Sequence, residues 1–323
     1  MGISKPVSRL KGGVRRRLGI DLGRRAIKVV ALEWRRGTAR LCGFGIEAMP
    51  PAGANARTVG RARIGALRRA VAAAAPRARQ AATGIPAEAI ITRTMHLPAG
   101  LDEAALRARV QLDIEDSVKQ PAGDIAYDFR PLDEAPRQDQ QALLLVATRR
   151  EEVAMRERWL ASAGLRCRLV DTDAHALARA ALADPRHRPA AAGPAVAVLD
   201  IGSRLRLTVL ERQRILYHQD HAHDAQAGRA ACLESLERAL AMYHDSPRAS
   251  PPAALGLAGG GSDAALAEAL GERLSMPVAC LDPRPALGIE PATGPDGLAA
   301  RLPCLLTAIG LALHAGDPHA HWR

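Results

Sequence analysis

Two stretches of the chain share one pattern of apolar and polar positions. Leu18 to Leu32 (LGIDLGRRAIKVVAL) and Val198 to Leu210 (VLDIGSRLRLTVL) each run apolar into an Asp, Asp21 or Asp200. Each then passes one residue to a Gly, Gly23 or Gly202, and resumes a run rich in β-branched and apolar residues. That alternation predicts strand, tight turn, strand. Glycine lacks Cβ, so a phosphate can approach the turn amides, and an Asp at a strand end can hold a hydrated divalent cation. A single Asp-x-Gly hairpin is usually only a turn. Two of them, about one domain length apart, predict a duplicated α/β unit whose halves face each other across a cleft. A third stretch, Leu255 to Ser262 (LGLAGGGS), predicts a strand running into Gly259, Gly260 and Gly261 and then a helix, a junction against which a flat ring or a phosphate can lie.

The remaining pattern fills in the units. A strand is predicted around Ala39–Ile46, then a helix within Arg57–Arg79 whose Ile64, Leu67, Val71 and Ala74 recur at helical spacing, with Arg57, Arg61 and Arg68 pointing elsewhere. Residues 82 to 149 read as strand, strand, helix, strand, strand. Ala89–Leu97 ends at Pro98, Asp102 caps a helix with Leu106, Val110 and Ile114 one turn apart, and strands follow at Ile125–Leu132 and Ala142–Thr148. This is a small α+β insert. Between Tyr217 and Ala253 there is room for one helix, around Ala230–Tyr243.

Composition changes the picture in a few places. At 323 residues the chain suffices for two domains with real cores, and 48% apolar with only 2% aromatic residues makes those cores Leu, Val, Ile and Ala. The net charge of +11 favours an acidic partner or reflects an arginine-rich solvated surface; without interleaved aromatics or a recognition motif nothing points to nucleic acid. Residues 1–17 carry Lys5, Arg9, Lys11, Arg15, Arg16 and Arg17 and no acid, which reads as a solvated, disordered arm or as one attracted to anionic lipid headgroups. Cys42, Cys167, Cys232, Cys280 and Cys304 form no C-x-x-C pair and read as small buried apolar residues of a reducing compartment. No apolar run reaches the roughly 18 residues a bilayer span needs, so a cytosolic protein is expected, with membrane contact peripheral or through a partner. His218, His221, His223, His319 and His321 read as exposed loop residues rather than metal ligands. No G-x-S-x-G elbow marks a nucleophile.

The two Asp-x-Gly hairpins and the glycine-rich junction resemble, in order, the two phosphate hairpins and adenosine loop of the actin-like ATPase superfamily. The segments GIDLG, TRTMHLP, QLDIEDSVKQP, YDFRPL, LLLVATRREEV and AGLRCRLVDTDAHALARA, with AIGLAL near the end, resemble more narrowly the PilM family, cytoplasmic actin-like proteins of type IV pilus assembly. Arg93, Leu97, Pro98, Glu115, Asp128 and Phe129 match that family residue for residue, and Gly164, Leu165, Asp171 and Asp173 match its return strand. The resemblance implies an α/β, actin-like (ribonuclease H-like) duplicated two-domain fold. Its first domain would span 18–184 with an insert of the SHS2 type at about 82–149, and a shortened second domain would span 195–323. It implies ATP and Mg as cofactors, held by Asp21, Gly23, Lys28, Asp200, Gly202, Ser203, Gly259, Gly260 and Gly261, with Asp21 and Asp200 on the metal.

It also implies a scaffold rather than an enzyme, at most a weak ATPase. The scaffold would sit peripherally at the cytoplasmic face of the inner membrane, its partner the N-terminal tail of a PilN-like membrane protein docked in a groove beside the insert. Bound nucleotide would tune closure of the domains. Several departures bear on this. Arg24, Arg25, Arg204 and Arg206 stand where the family has small residues; an arginine there reaches phosphate or fills the pocket. Lys28 reads as a phosphate ligand or as a strand-edge lysine. The short interval before Ala253 would leave the cleft wetter than in relatives. Other classes stay open: a nucleotide-free adaptor resembling GspL, or an ATPase or kinase of the actin-like superfamily using Glu115 or Asp173 as base. An FtsA-like polymer fits less well, because the tail AGDPHAHWR holds Pro318.

Overall fold

The computed structural model describes residues 15–315 apart from 36–37, 51–55, 76, 119–121, 133–138, 189–192, 212–213, 222–227, 247–248 and 290–296. Strands β1 (Arg15–Leu22), β2 (Ala26–Arg35) and β3 (Thr38–Ala48) form an antiparallel meander. Helix α1 (Ala56–Ala74) leads to β4 (Gln80–Ile85), which lies parallel to β1. A small unit follows: β5 (Ile90–Pro98), α2 (Glu103–Val118), β6 (Ile125–Pro131) and β7 (Gln140–Arg149), its three strands ordered β5-β7-β6. Helix α3 (Arg150–Ser162) and β8 (Arg166–Thr172) return to the first sheet, whose order is β3-β2-β1-β4-β8.

Helix α4 (Asp173–Leu182) crosses to the second half, made of β9 (Val196–Ile201), β10 (Leu205–Glu211), β11 (Arg214–His221), α5 (Gly228–His244), β12 (Leu255–Ala258), α6 (Ala264–Leu274), β13 (Val278–Cys280) and α7 (Leu298–Ala315). Its sheet order, β11-β10-β9-β12-β13, repeats that of the first sheet position by position. In each, the central strand pairs antiparallel with its hairpin partner on one side and parallel with a later strand on the other. The duplication read from the two hairpins is therefore one of whole sheets.

Strand periodicity sets the layers. Leu18, Ile20, Ile27 and Val29 turn to the outer helices α1 and α3, while Val30 and Leu32 turn inward. Likewise Ala197 and Leu199 face α5 and α6, and Val196 and Val198 face inward. The two inner faces share one core built from Leu177 and Ala181 of α4 and Leu302, Leu305, Ile309 and Ala312 of α7. Because side chains alternate at every residue, Asp21 falls on the face of Gly19 and Asp200 on that of Val198. Both carboxylates point toward the shared interior.

That interior closes on backbone. A Cβ on Gly310 would stand 1.7 Å from the Ala176 carbonyl oxygen, and one on Gly19 would stand 1.9 Å from that of Ala308. The small unit has its own core, with Leu106, Val110 and Ile114 on one face of α2 against Met95, Leu143 and Leu145. As expected, Asp102 caps α2, accepting from the Ala105 amide at 2.8 Å.

Two boundaries differ from the sequence reading. Residues 82–85 belong to β4 of the main sheet, so the inserted sheet begins at Ile90; Pro86 breaks a run that otherwise reads as continuous. Arg15, Arg16 and Arg17 pair with Trp34, Glu33 and Leu32 in β1 rather than continuing the arm, since strand pairing with β2 takes up their backbone. Residues 1–14 lie outside the described residues, as do His223, His319 and His321.

Replacing Gly310 with Ala drives a methyl into the Ala176 carbonyl, and the expected outcome is a loss of about 1–3 kcal/mol in denaturant unfolding. Gly60→Ala in α1, where a new Cβ meets nothing within 4 Å, shifts the same measurement the other way by roughly 0.5–1 kcal/mol.

Candidate functional site

The inner faces part at the strand ends to leave a cavity of about 640 Å³. Its walls contain every residue expected to hold the nucleotide: Asp21, Gly23, Lys28, Asp200, Gly202, Ser203, Gly259, Gly260 and Gly261. Gly228 and Cys232 of α5 line it as well, so the one helix between β11 and β12 supplies a wall of its own. Glu115 lies elsewhere, exposed on α2, and Arg93 pairs with Asp113 at 3.2 Å on the insert.

The glycines serve two different purposes. Gly202 and Gly260 meet little, with no atom nearer than 3.9 Å to an added Cβ, and so leave the cavity wall open to a ligand. At Gly23 an added Cβ would stand 2.7 Å from the Ala26 carbonyl oxygen. Gly259 has φ +89 and at Gly261 the side chain of Ile201 is already 2.6 Å away. These three are required by the turn and by packing, which differs from the reason inferred from the motif.

Charge is arranged in pairs. Asp21 and Lys28 are register partners across the first hairpin, with Nζ donating to Oδ2 at 2.8 Å. Asp200 and Arg206 are register partners across the second, 3.5 Å apart. The Arg206 Nε also donates to Asp220 at 2.9 Å, and Arg204 stands 3.0 Å from the same carboxylate. Burial pulls Lys28 down, but Asp21 and then Asp200 act against it and the net shift is upward. Burial likewise opposes the charge on Arg206, which Asp200, Asp220, Asp173 and Asp21 together hold above its ordinary value. Burial raises Asp200. Arg24 donates to Glu88 at 2.8 Å, and both residues line the cavity.

Asp173, at the start of α4, also lines the cavity. Gly84 makes room for it, since a Cβ there would stand 1.9 Å from the Asp173 Oδ1, and Arg156 Nε fixes the Gly84 carbonyl at 2.7 Å. Burial, then the neighbouring charge of Asp21, pushes Asp173 up to about 7. Its sequence neighbour Asp171 behaves oppositely. Burial would raise it, but His314 Nδ1 at 2.6 Å and Arg179 at 3.1 Å hold it at about 2. The sequence left Arg206 open between reaching phosphate and filling the pocket, offered Asp173 only as a base, and did not pick out Asp220, which holds Arg206 from behind. Counting residues across the hairpin from Asp200 would have found Arg206.

His218 and His221 sit on β11, not in a loop. Burial lowers His218 to about 4, and its Nδ1 lies 2.8 Å from the Thr208 hydroxyl. The run RILYHQDH lacks the apolar alternation of a strand, and β11 forms because β10 offers it a full antiparallel ladder. Cys42 is exposed and only Cys232 is fully buried.

The cavity suits a nucleotide in size, within the roughly 300–1,000 Å³ of small-molecule sites, and in its open glycine backbone beside fixed cations. A divalent metal fits less well: both carboxylates that would receive it already carry a cation, and among the described residues no group of three or more His, Cys, Asp or Glu is placed to hold one.

Two sheets of one connectivity facing across a hairpin-lined cleft define the actin-like ATPase and sugar-kinase class of fold. The solved chain of a PilM-PilN type IV pilus biogenesis complex is similar, with a TM-score of 0.74 and 22% identity over 93% of this chain and 98% of that one. A glycerol dehydratase reactivase is similar at a TM-score of 0.52 and 10% identity, over 93% and 99%. The family model of type IV pilus assembly protein PilM matches residues 19–231, and the chain belongs to that family. Among the described residues no helix is long and apolar enough to cross a membrane.

Asp173 makes a pH prediction. A carboxyl with a raised folded-state pKa contributes stability that is present below the unfolded value near 4 and is lost as pH rises through about 7. His218, with its lowered pKa, acts in the opposite sense over much of this range, so the comparison must be with a variant. Relative to Asp173→Asn, the wild-type melting temperature falls by on the order of a few degrees between pH 5 and pH 7.5. A constant difference across that range would mean that Asp173 ionises normally.

Proposed function

We propose that this chain is an actin-like scaffold of type IV pilus assembly. It binds the N-terminal cytoplasmic tail of a PilN-like inner-membrane protein and takes ATP in the cleft between its halves, at the cytoplasmic face of the membrane. The observation that carries this reading is a second cavity, about 500 Å³, between the inserted sheet and the edge of the first main sheet. Its walls are Ala126 and Tyr127 of β6, Val146 to Thr148 of β7, Val153, Ala154 and Glu157 of α3, and Cys167 to Thr172 of β8. Strand β8 ends the order of its sheet, so its outer edge offers main-chain groups to an extended peptide, while the apolar wall supplies side-chain pockets. An open strand edge beside an apolar wall supports an extended tail as the occupant of this groove.

The two cavities share walls, which supports modulation of one by the other. Asp171 and Thr172 line the groove and Asp173 the cleft; Ile85 lines the groove and Gly84 the cleft; Glu157 lines the groove and Arg156 the cleft. A ligand that repositions α3 or the β8–α4 junction on one side moves the wall of the other.

Fluorescence anisotropy with a labelled peptide of the cognate PilN tail tests the groove, and calorimetry with ATP tests the cleft. Saturable peptide binding is expected, weakened about tenfold or more by Val153→Asp in the groove wall, with the ATP heat retained by that variant and weakened by Lys28→Ala in the cleft. A peptide that fails to bind both with and without ATP would refute the scaffold reading.

A further inference from the structure

We propose that Arg206 is the second cation of a nucleotide clamp that works without a divalent metal: Lys28 from one hairpin and Arg206 from the other take the phosphate chain of ATP directly. The inference rests on the nucleotide reading of the cleft and goes beyond it by naming what neutralises the phosphates.

The two hairpins place these cations in the same way. Lys28 stands opposite Asp21 in the β1–β2 ladder, and Arg206 stands opposite Asp200 in the β9–β10 ladder. The duplicated sheets therefore present one carboxylate with one cation across each strand pair, both inside the cavity wall. Arg206 is held from two sides, by Asp200 on β9 at 3.5 Å and by Asp220 on β11 at 2.9 Å, and Asp220 is itself met by Arg204 at 3.0 Å. A guanidinium fixed in this way has little rotamer freedom left to lose when it receives a phosphate, and its planar fork matches phosphate oxygens two at a time.

The same geometry works against a metal at Asp200. A divalent ion bound there would lie within a few ångströms of a full positive charge that already neutralises the carboxylate, and like charges at that range repel. A side chain too small to reach Asp200 would leave the carboxylate free for a hydrated cation. Arg206 occupies that role with the cation built into the chain.

Calorimetric titration of the full chain with ATP, once in excess EDTA and once in excess magnesium chloride, tests this. Wild type is expected to bind with affinities within about threefold of each other in the two conditions. Arg206→Thr is expected to lose about tenfold or more in EDTA, a fold-change typical of removing a charge-assisted contact, and to regain affinity when magnesium is added. Arg206→Lys, which keeps the charge but not the fork, should fall between them in EDTA. Melting curves of both variants establish that they fold. Wild-type binding that disappears in EDTA and returns with magnesium would overturn the inference and leave the nucleotide reading standing. Unchanged affinity of Arg206→Thr in EDTA would overturn it as well. Absence of ATP binding in either condition would overturn both.

Discussion

Charge buried in a protein interior must be paired, and that requirement organises this molecule. Asp21, Asp171 and Asp184 are almost wholly buried, and Asp173 and Asp200 are partly so. Leaving such groups ionised and alone costs several kcal/mol each. Each is answered locally. Lys28 answers Asp21, Arg206 answers Asp200, Arg179 and His314 answer Asp171, and Arg186 answers Asp184. Asp173 is the exception: among the described residues no cation contacts it directly, and burial with Asp21 beside it favours its protonated form. At the cleft, the Asp21 and Asp200 pairings each tie the end of one strand to its hairpin neighbour.

Much of this was legible in the residues. The Asp-x-Gly turns mark themselves by composition, and the run LGLAGGGS announces a strand feeding a helix. Once both hairpins are accepted as equivalent, a two-lobed α/β fold follows from right-handed parallel connections that need helices to cross the sheet. What stayed hidden depends on contacts distant in sequence. The behaviour of Asp173 requires Gly84 of β4 and Asp21 of β1 beside it, and no local pattern brings those together. The setting of Arg206 depends on hairpin register, which places it opposite Asp200 and beside Asp220, and the motif alone left open whether it reaches phosphate or fills the pocket. Strand β11 was masked by its polarity, since the ladder with β10 forms through backbone and tolerates His218, Gln219 and Asp220.

Two of the four hairpin arginines differ in setting. Arg24 pairs with Glu88 at the rim of the cleft, both side chains well exposed, so the pair has small energetic weight. Arg206 turns inward among carboxylates. Residues that look alike in sequence thus differ in burial, because Arg24 lies in the turn itself while Arg206 lies on β10 between two strands that each supply a carboxylate.

Helix α7 covers the inner face of the first sheet, packing Leu302, Leu305 and Ile309 against Val30, Leu32 and Leu41. In order of synthesis this seals the amino-terminal half with the last helix described. As the chain leaves the ribosome, the first meander emerges with one apolar side uncovered and stays so until residues near 310 arrive. The two halves therefore share one core that is complete only when α7 has been made, so the inner face of the first sheet is fully covered only late in synthesis.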